Sequence, residues 1–240
     1  MTTIAPTFRP RANFGRLAVH LVLLLLSLLA LAPFAMLISS SLSSEAALGT
    51  YGYALFPKEV SLEAYRFLFA DASQLLRSYG VSIFVTVVGG GLGLLVMSLL
   101  AYALSRKDFG PRMPLAFFVF FTMLFNGGLV PWYILITQYL HLRNTIWVLI
   151  LPHLVVPWYV LLLRTYFAGL PSELLEAARI DGASEWRIFF RIALPLSAPA
   201  LATVGLFHVL SYWNDWWLAL LFIDDRKLVP LQYLMYIIQS

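Results

Sequence analysis

The chain has 240 residues, of which 61% are hydrophobic and only 12% charged, with a formal net charge of +4 and no cysteine. That balance excludes an ordinary soluble domain, and the missing cysteines exclude disulfides, thiolate metal sites and thiol catalysis. So modest a positive charge requires no nucleic-acid partner.

A helix needs about 20 apolar residues to cross the hydrocarbon core, because every backbone amide must find its partner inside the segment. Five stretches meet that length: roughly Leu17 to Ile38, Tyr79 to Leu104, Pro114 to Ile136, Thr145 to Phe167 and Ala198 to Phe222. A transmembrane barrel would instead alternate apolar and polar residues over segments of about ten. Leu21 to Leu26 is apolar throughout, so the expected fold class is all-α, a polytopic helical membrane protein. The first run follows Arg9, Arg11 and Arg16 as a secretory signal would, but it exceeds the usual 7 to 15 residues of such a signal and is read as an uncleaved anchor.

With the N-terminus in the cytoplasm, ten of the 16 basic residues fall inside: Arg9, Arg11, Arg16, Arg106, Lys107, Arg112, Arg164, Arg179, Arg187 and Arg191. Lys58, Arg66, Arg77, Arg143, Arg226 and Lys227 fall outside, which is the usual positive-inside bias. Residues 39–78 then form an external segment. Gly49, Gly52 and Pro57 break it, and Leu62, Tyr65, Arg66 and Phe69 predict a short amphipathic helix resting on the membrane surface. In the second span Gly89 and Gly93 have the spacing that lets helix backbones approach closely. The third span holds Asn126-Gly127-Gly128 and Pro131, which weaken helical continuity.

Between the fourth and fifth spans lies a charged insert, residues 171–195. Glu173, Glu176, Arg179, Asp181, Glu185, Arg187 and Arg191 crowd into 19 positions of an otherwise apolar region. Ser172 is expected to cap a first helix, Asp181-Gly182 to stop it, Ser184 to cap a second and Pro195 to close the unit. Trp186, Phe189, Phe190 and Ala193 share one apolar face at helical spacing, and Arg187 and Arg191 another. The expectation is a helix-turn-helix with an adhesive side and a charged side.

Glu176-Ala177-Ala178, three residues, Gly182, nine residues and Ile192-x-Leu194-Pro195 resembles the EAA loop of ABC importer permeases. Phe125 to Tyr133, Leu149 to Pro152 and Arg164 to Phe167 look like the carbohydrate-uptake type, its oligosaccharide and polysaccharide-fragment branch. The resemblance covers roughly residues 75 to 235. It implies one permease domain over 1–240, a non-catalytic subunit of a bacterial cytoplasmic (inner) membrane importer, multi-pass and in contact with lipid. Its partners would be a homologous permease subunit, two ATPase subunits, an external solute-binding protein and a sugar substrate. The chain itself would bind no cofactor or metal, ATP and Mg belonging to the ATPase. Coupling to that ATPase would fall to Glu173, Glu176, Ala177, Ala178, Arg179, Asp181, Gly182, Ala183, Ser184 and Arg187, with Glu176 pairing a basic group. The resembled permeases continue through a sixth helix; five are expected here and the sixth absent, the sequence stopping at Ser240 in what would be an external segment.

Candidate pathway residues are Asn126, Trp132 and Tyr133 in the broken span, and Tyr212, Trp213, Asn214 and Asp215 near the outer end of the last. Rings with polar edges beside amide and carboxylate groups suit sugars, and the same rings suit an interfacial aromatic belt. An ion-coupled carrier or channel acting without an ATPase is the alternative. It normally needs buried carboxylates, whereas the spans offer chiefly His20, His153, His208 and Asp215.

Overall fold

The computed structural model describes residues 14–70 and 72–239, so Arg9 and Arg11 of the charge-bias argument lie outside the described residues. The described residues are helical, with one isolated antiparallel bridge between Ser43 and Val60 and no strand. They divide into two compact units, Met1–Ala72 and Ser73–Ser240.

The first unit contains α1 (Phe14–Ser41), α2 (Glu45–Tyr51) and α3 (Glu63–Ala70). Leu21 to Leu26 all stand exposed, and a helix apolar on every side is one whose solvent is lipid. The hydroxyls of Ser27 and Ser40 donate to carbonyls one turn back, so both are satisfied within the helix itself. Ser44 caps α2 by accepting from the Ala47 amide, and Gly52 ends it at a φ of +71°. The expected break at Gly49 does not occur, because that glycine lies inside α2. The amphipathic helix predicted around Tyr65 forms as α3.

The second unit runs from α4 (Ala72–Ser105) through α5 (Arg112–Leu124) and α6 (Leu129–Ile134), then α7 (Pro157–Ala168) and α8 (Ser172–Ile180). It continues through α9 (Glu185–Ile188), α10 (Leu194–Leu196), α11 (Ala198–Trp213), α12 (Trp217–Phe222) and α13 (Leu231–Gln239). Among the described residues α1 and α4 alone are single helices long enough to cross a bilayer; three further crossings are possible as bent pairs. The third predicted span bends by 114° between Arg112–Leu124 and Leu129–Tyr139, and the fourth by 48° between Ile146–His153 and Pro157–Ala168. The predicted last span is corrected. It does not run to Phe222, because α11 stops at Trp213 and the Asp215 carboxylate accepts from the Trp217 and Leu218 amides, starting α12 afresh. Backwards, α11 joins Glu185–Leu196 at 81°.

Glycines on α4 leave room for the side chains of α11. A Cβ at Gly89 would lie 2.6 Å from the Tyr212 ring, one at Gly90 would lie 2.7 Å from Val209, and one at Gly93 would meet His208 and, at 2.7 Å, the Leu154 carbonyl. Thus α11 lies against the bare side of α4, as the small-residue spacing predicts. The Tyr212 hydroxyl donates to the Ile150 carbonyl at 2.7 Å, drawing the short turns before α7 into the same junction. Two buried clusters flank it. One gathers Met97, Tyr102, Val160, Leu163 and Phe167 with Ile188 and Phe189, and the other gathers Val85, Val148, Ile150 and Tyr212 with Leu218 and Phe222.

Gly93→Ala is expected to destabilise the fold by about 1–3 kcal/mol through overpacking, since a backbone carbonyl cannot swing aside. Gly91→Ala, which meets nothing within 4 Å, should be neutral or slightly stabilising. Thermal unfolding of both variants in detergent checks the contrast.

Candidate functional site: the charged hairpin

The insert folds as α8, a tight turn and α9, extended by a π-helical stretch over Phe189–Ala193 and then α10. Its first helix ends in a Schellman motif. The Gly182 amide donates to the Arg179 carbonyl at 3.0 Å and the Ala183 amide to the Ala178 carbonyl at 2.9 Å, with Gly182 at a φ of +75°. A side chain there would clash with its own backbone, which is the reason for glycine. Ser184 caps the second helix, as expected, by accepting from the Arg187 amide.

Three expectations about the hairpin are corrected. Ser172 caps nothing; it is the first residue of α8, behind Pro171, whose side chain makes no cap bond. Pro195 does not close the unit, since α10 continues to Leu196 and the bend falls at Ser197. Nor do Trp186, Phe189, Phe190 and Ala193 share a face. The π stretch places more residues in each turn than an α-helix, so Ile188, Phe189 and Ala193 are buried while Trp186 and Phe190 stack on each other outside. Pro195 has no amide to offer the Arg191 carbonyl, and the widened turn lies directly before it.

Phe189 fastens the hairpin to the spans. Its ring lies 5.2 Å from Tyr102 of α4 and 6.4 Å from Phe167 of α7, and Tyr102 meets Phe167 edge-on at 5.8 Å. Leu175 of α8 is buried in the same cluster, with Ala178 and Ala183 packed against it. Facing away stand Glu173, Glu176, Ala177, Asp181, Gly182, Ser184 and Arg187, all exposed, with Ile180 86% exposed at the end of α8.

Arg179 behaves differently. Its guanidinium donates to Asp108 at 2.5 Å and to Glu185 at 2.7 Å, while the Tyr102 hydroxyl donates to the other Glu185 oxygen at 3.1 Å. Arg106 approaches Asp108 at 3.5 Å and lies 5.8 Å over the Tyr102 ring. These groups line a cavity of about 360 Å³ together with Phe109 and Trp186. The hydrogen bond it donates to Glu185 is the main reason the Arg179 guanidinium holds its proton even more firmly than usual. At Asp108 burial works against the charge, but the Arg179 hydrogen bond and the Arg106 charge outweigh it and hold the carboxyl below the ordinary aspartate value. The contribution of this pair is therefore complete above that ordinary value and is lost only as pH falls through the lowered one.

Sequence reasoning does not pick out Tyr102 or Asp108, and it reads Arg106 and Glu185 only as charges, not as partners in a network. Their partners lie 71 and 83 positions away, and no local spacing signals such pairing.

The candidate pathway residues do not gather on one open surface. Tyr212 is buried with its hydroxyl engaged, and Trp132 and Tyr133 pack on the buried Phe222 ring at 5.1 and 5.4 Å. The Asn126 carbonyl oxygen accepts from the Gly128 amide inside the bend. Trp213 is half-buried, and Asn214 donates back to the Leu210 carbonyl. Besides capping α12, Asp215 lies 3.7 Å from His153.

A hairpin of this build, packed into a bundle of bent membrane helices, belongs to the permease class of ABC importers. The chain is a member of the family described as binding-protein-dependent transport system inner membrane component, whose profile matches residues 111–239, and is thus a multi-pass inner-membrane protein. It is 40% identical, over 89% of its length and 74% of the relative's, to a polygalacturonan/rhamnogalacturonan transport system permease protein, YtcP, of Bacillus subtilis (strain 168). Protein LplC of the same organism is 43% identical over 85% of this chain and 68% of its own. A chain from the crystal structure of a bacterial ABC transporter involved in import of the acidic polysaccharide alginate superposes with a TM-score of 0.82, at 30% identity, covering 97% of this chain and 82% of that one.

Phe189→Ala is expected to cost about 3–5 kcal/mol, because it empties the site between Tyr102 and Phe167. Phe190→Ala, on the exposed side, should leave stability nearly unchanged. Melting temperatures of the two purified variants decide it.

Proposed function

We propose that the chain is the membrane-spanning permease subunit of a bacterial binding-protein-dependent importer for an oligosaccharide or polysaccharide fragment. In this reading it acts as one permease domain over 1–240, with the external segment 39–78 and the coupling hairpin 171–195. The sugar assignment rests on the substrates printed in the names of its relatives. The observation that carries the coupling role is the two-sided hairpin, buried through Leu175, Ile188 and Phe189 and exposed through Glu173, Glu176 and Arg187.

The hairpin and the N-terminus face the cytoplasm, in keeping with the excess of Lys and Arg assigned there. Two ATPase subunits bind and hydrolyse ATP with Mg, and this chain is not itself an enzyme and holds no cofactor. A homologous permease completes the pathway within the lipid bilayer, and an external binding protein delivers the sugar. Glu176 meets a basic group of the ATPase, while Ala177 and Ala178 keep the knob small enough for a groove. Losing one partner of a buried charge pair costs about 2–5 kcal/mol, whereas driving an equilibrium from 1:99 to 99:1 takes about 5.5 kcal/mol. One ion pair therefore does not carry the stroke. The whole docked surface moves, and the spans alternate between outward and inward openings.

Glu176→Lys and Gly182→Asp are expected to reduce sugar uptake at least tenfold and to release the ATPase during purification, with the spans still inserted. Uptake into cells and copurification of the ATPase are the measurements. Normal uptake by both variants would overturn the reading.

A further inference from the structure

The hairpin is held to the spans twice, and the two fastenings differ in kind. Apolar packing around Phe189 is non-directional and leaves freedom to slide or rotate. The polar fastening is directional. Arg179 on α8 grips Asp108 in the turn between α4 and α5 and Glu185 at the start of α9, and Glu185 in turn accepts from Tyr102 near the end of α4. The planar guanidinium fixes angle as well as distance, which a point charge on a flexible stem would not.

Arg179, Asp108 and Glu185 keep side-chain exposures of 34%, 50% and 53%, so solvent screens them and their contribution to stability is small. Their effect is on geometry. Every span of the ring is bridged: α4 to α9 through Tyr102 and Glu185, α9 to α8 through Glu185 and Arg179, α8 to the α4–α5 turn through Arg179 and Asp108, and that turn to itself through Asp108 and Arg106.

We propose that Asp108 and Glu185, acting through Arg179, are positioning residues that clasp the hairpin to the end of α4, so that the two move as one body. The inference rests on the coupling role given to the hairpin above. A push on the hairpin is delivered along α4 to Gly89, Gly90 and Gly93, where Tyr212, Val209 and His208 of α11 bear directly on the helix. Without the clasp the hairpin still docks and the ATPase still turns over, but the hairpin rolls against Phe189 and α4 stays behind.

The test uses the complete transporter in proteoliposomes, measuring ATP hydrolysis and sugar uptake side by side. Asp108→Asn and Glu185→Gln are expected to leave hydrolysis within about twofold of wild type while sugar imported per ATP falls at least tenfold. Asp108→Glu, which keeps the carboxylate, should restore most of that ratio. An unchanged ratio in both neutral variants overturns the clasp, and so does a parallel fall of hydrolysis and uptake, which marks mere loss of docking or folding. If wild type itself shows no ATP-driven uptake, the permease reading fails and the clasp with it; an active wild type with fully coupled variants removes the clasp alone.

Discussion

Phe189 between Tyr102 and Phe167 is the contact from which the hairpin's geometry follows. Lipid offers a helix no grip, since its chains are as apolar as the side chains they would hold, and association there depends on close packing. Three rings from three segments supply that packing within 6.4 Å of one another. Because the ring from the hairpin lies inside the helical cluster, the charged surface beyond it is anchored to the bundle, while its angle is left to the polar bonds of Arg179. The π stretch makes this possible. It turns Ile188, Phe189 and Ala193 inward together while Trp186 and Phe190 stay out.

One helix, α4, then carries the consequence in two ways. The end of α4 is held by polar bonds, including the Arg164 side chain donating to the Leu104 carbonyl, a cation where the helix dipole is negative. Its middle is held by the absence of side chains, the glycine stripe against which Tyr212 and His208 rest. An element pinned at one end and closely packed at its centre suits transmission better than one loosely packed throughout. At the far side of the same unit Asn144 accepts from the Asp224 and Asp225 amides while Arg143 pairs with Asp224, joining two connections that would otherwise be independent.

Much of the organisation was legible in the chain because the bilayer imposes it. Helix existence, the weak third span, the glycine stripe and the turn at Gly182 each follow from one local rule, and each appears where expected. What local rules could not supply was the face of the second hairpin helix. A period of 3.6 aligned Trp186 with Phe189, but a proline six residues after Phe189 coincides with a wider turn and another alignment. The end of α11 was missed for a similar reason, since Asp215 within an aromatic run reads as a candidate pathway group until it is seen capping α12. The pathway candidates were chosen by chemistry that suits sugars, and the same chemistry suits helix ends and ring packing, where Tyr212, Asn214 and Asp215 are engaged. Long-range ion pairs such as Arg179 with Asp108 leave no periodic trace at all.

The sharp bend between α5 and α6 restricts what can surround it. Residues 124–130 are exposed throughout, and in the turn the Gly128 amide is answered by the Asn126 side chain. Hydrocarbon tolerates irregular backbone only where water or other protein covers it. Within a bilayer this stretch therefore calls for water or another protein surface beside it, and the face that carries it is unsuited to lipid tails.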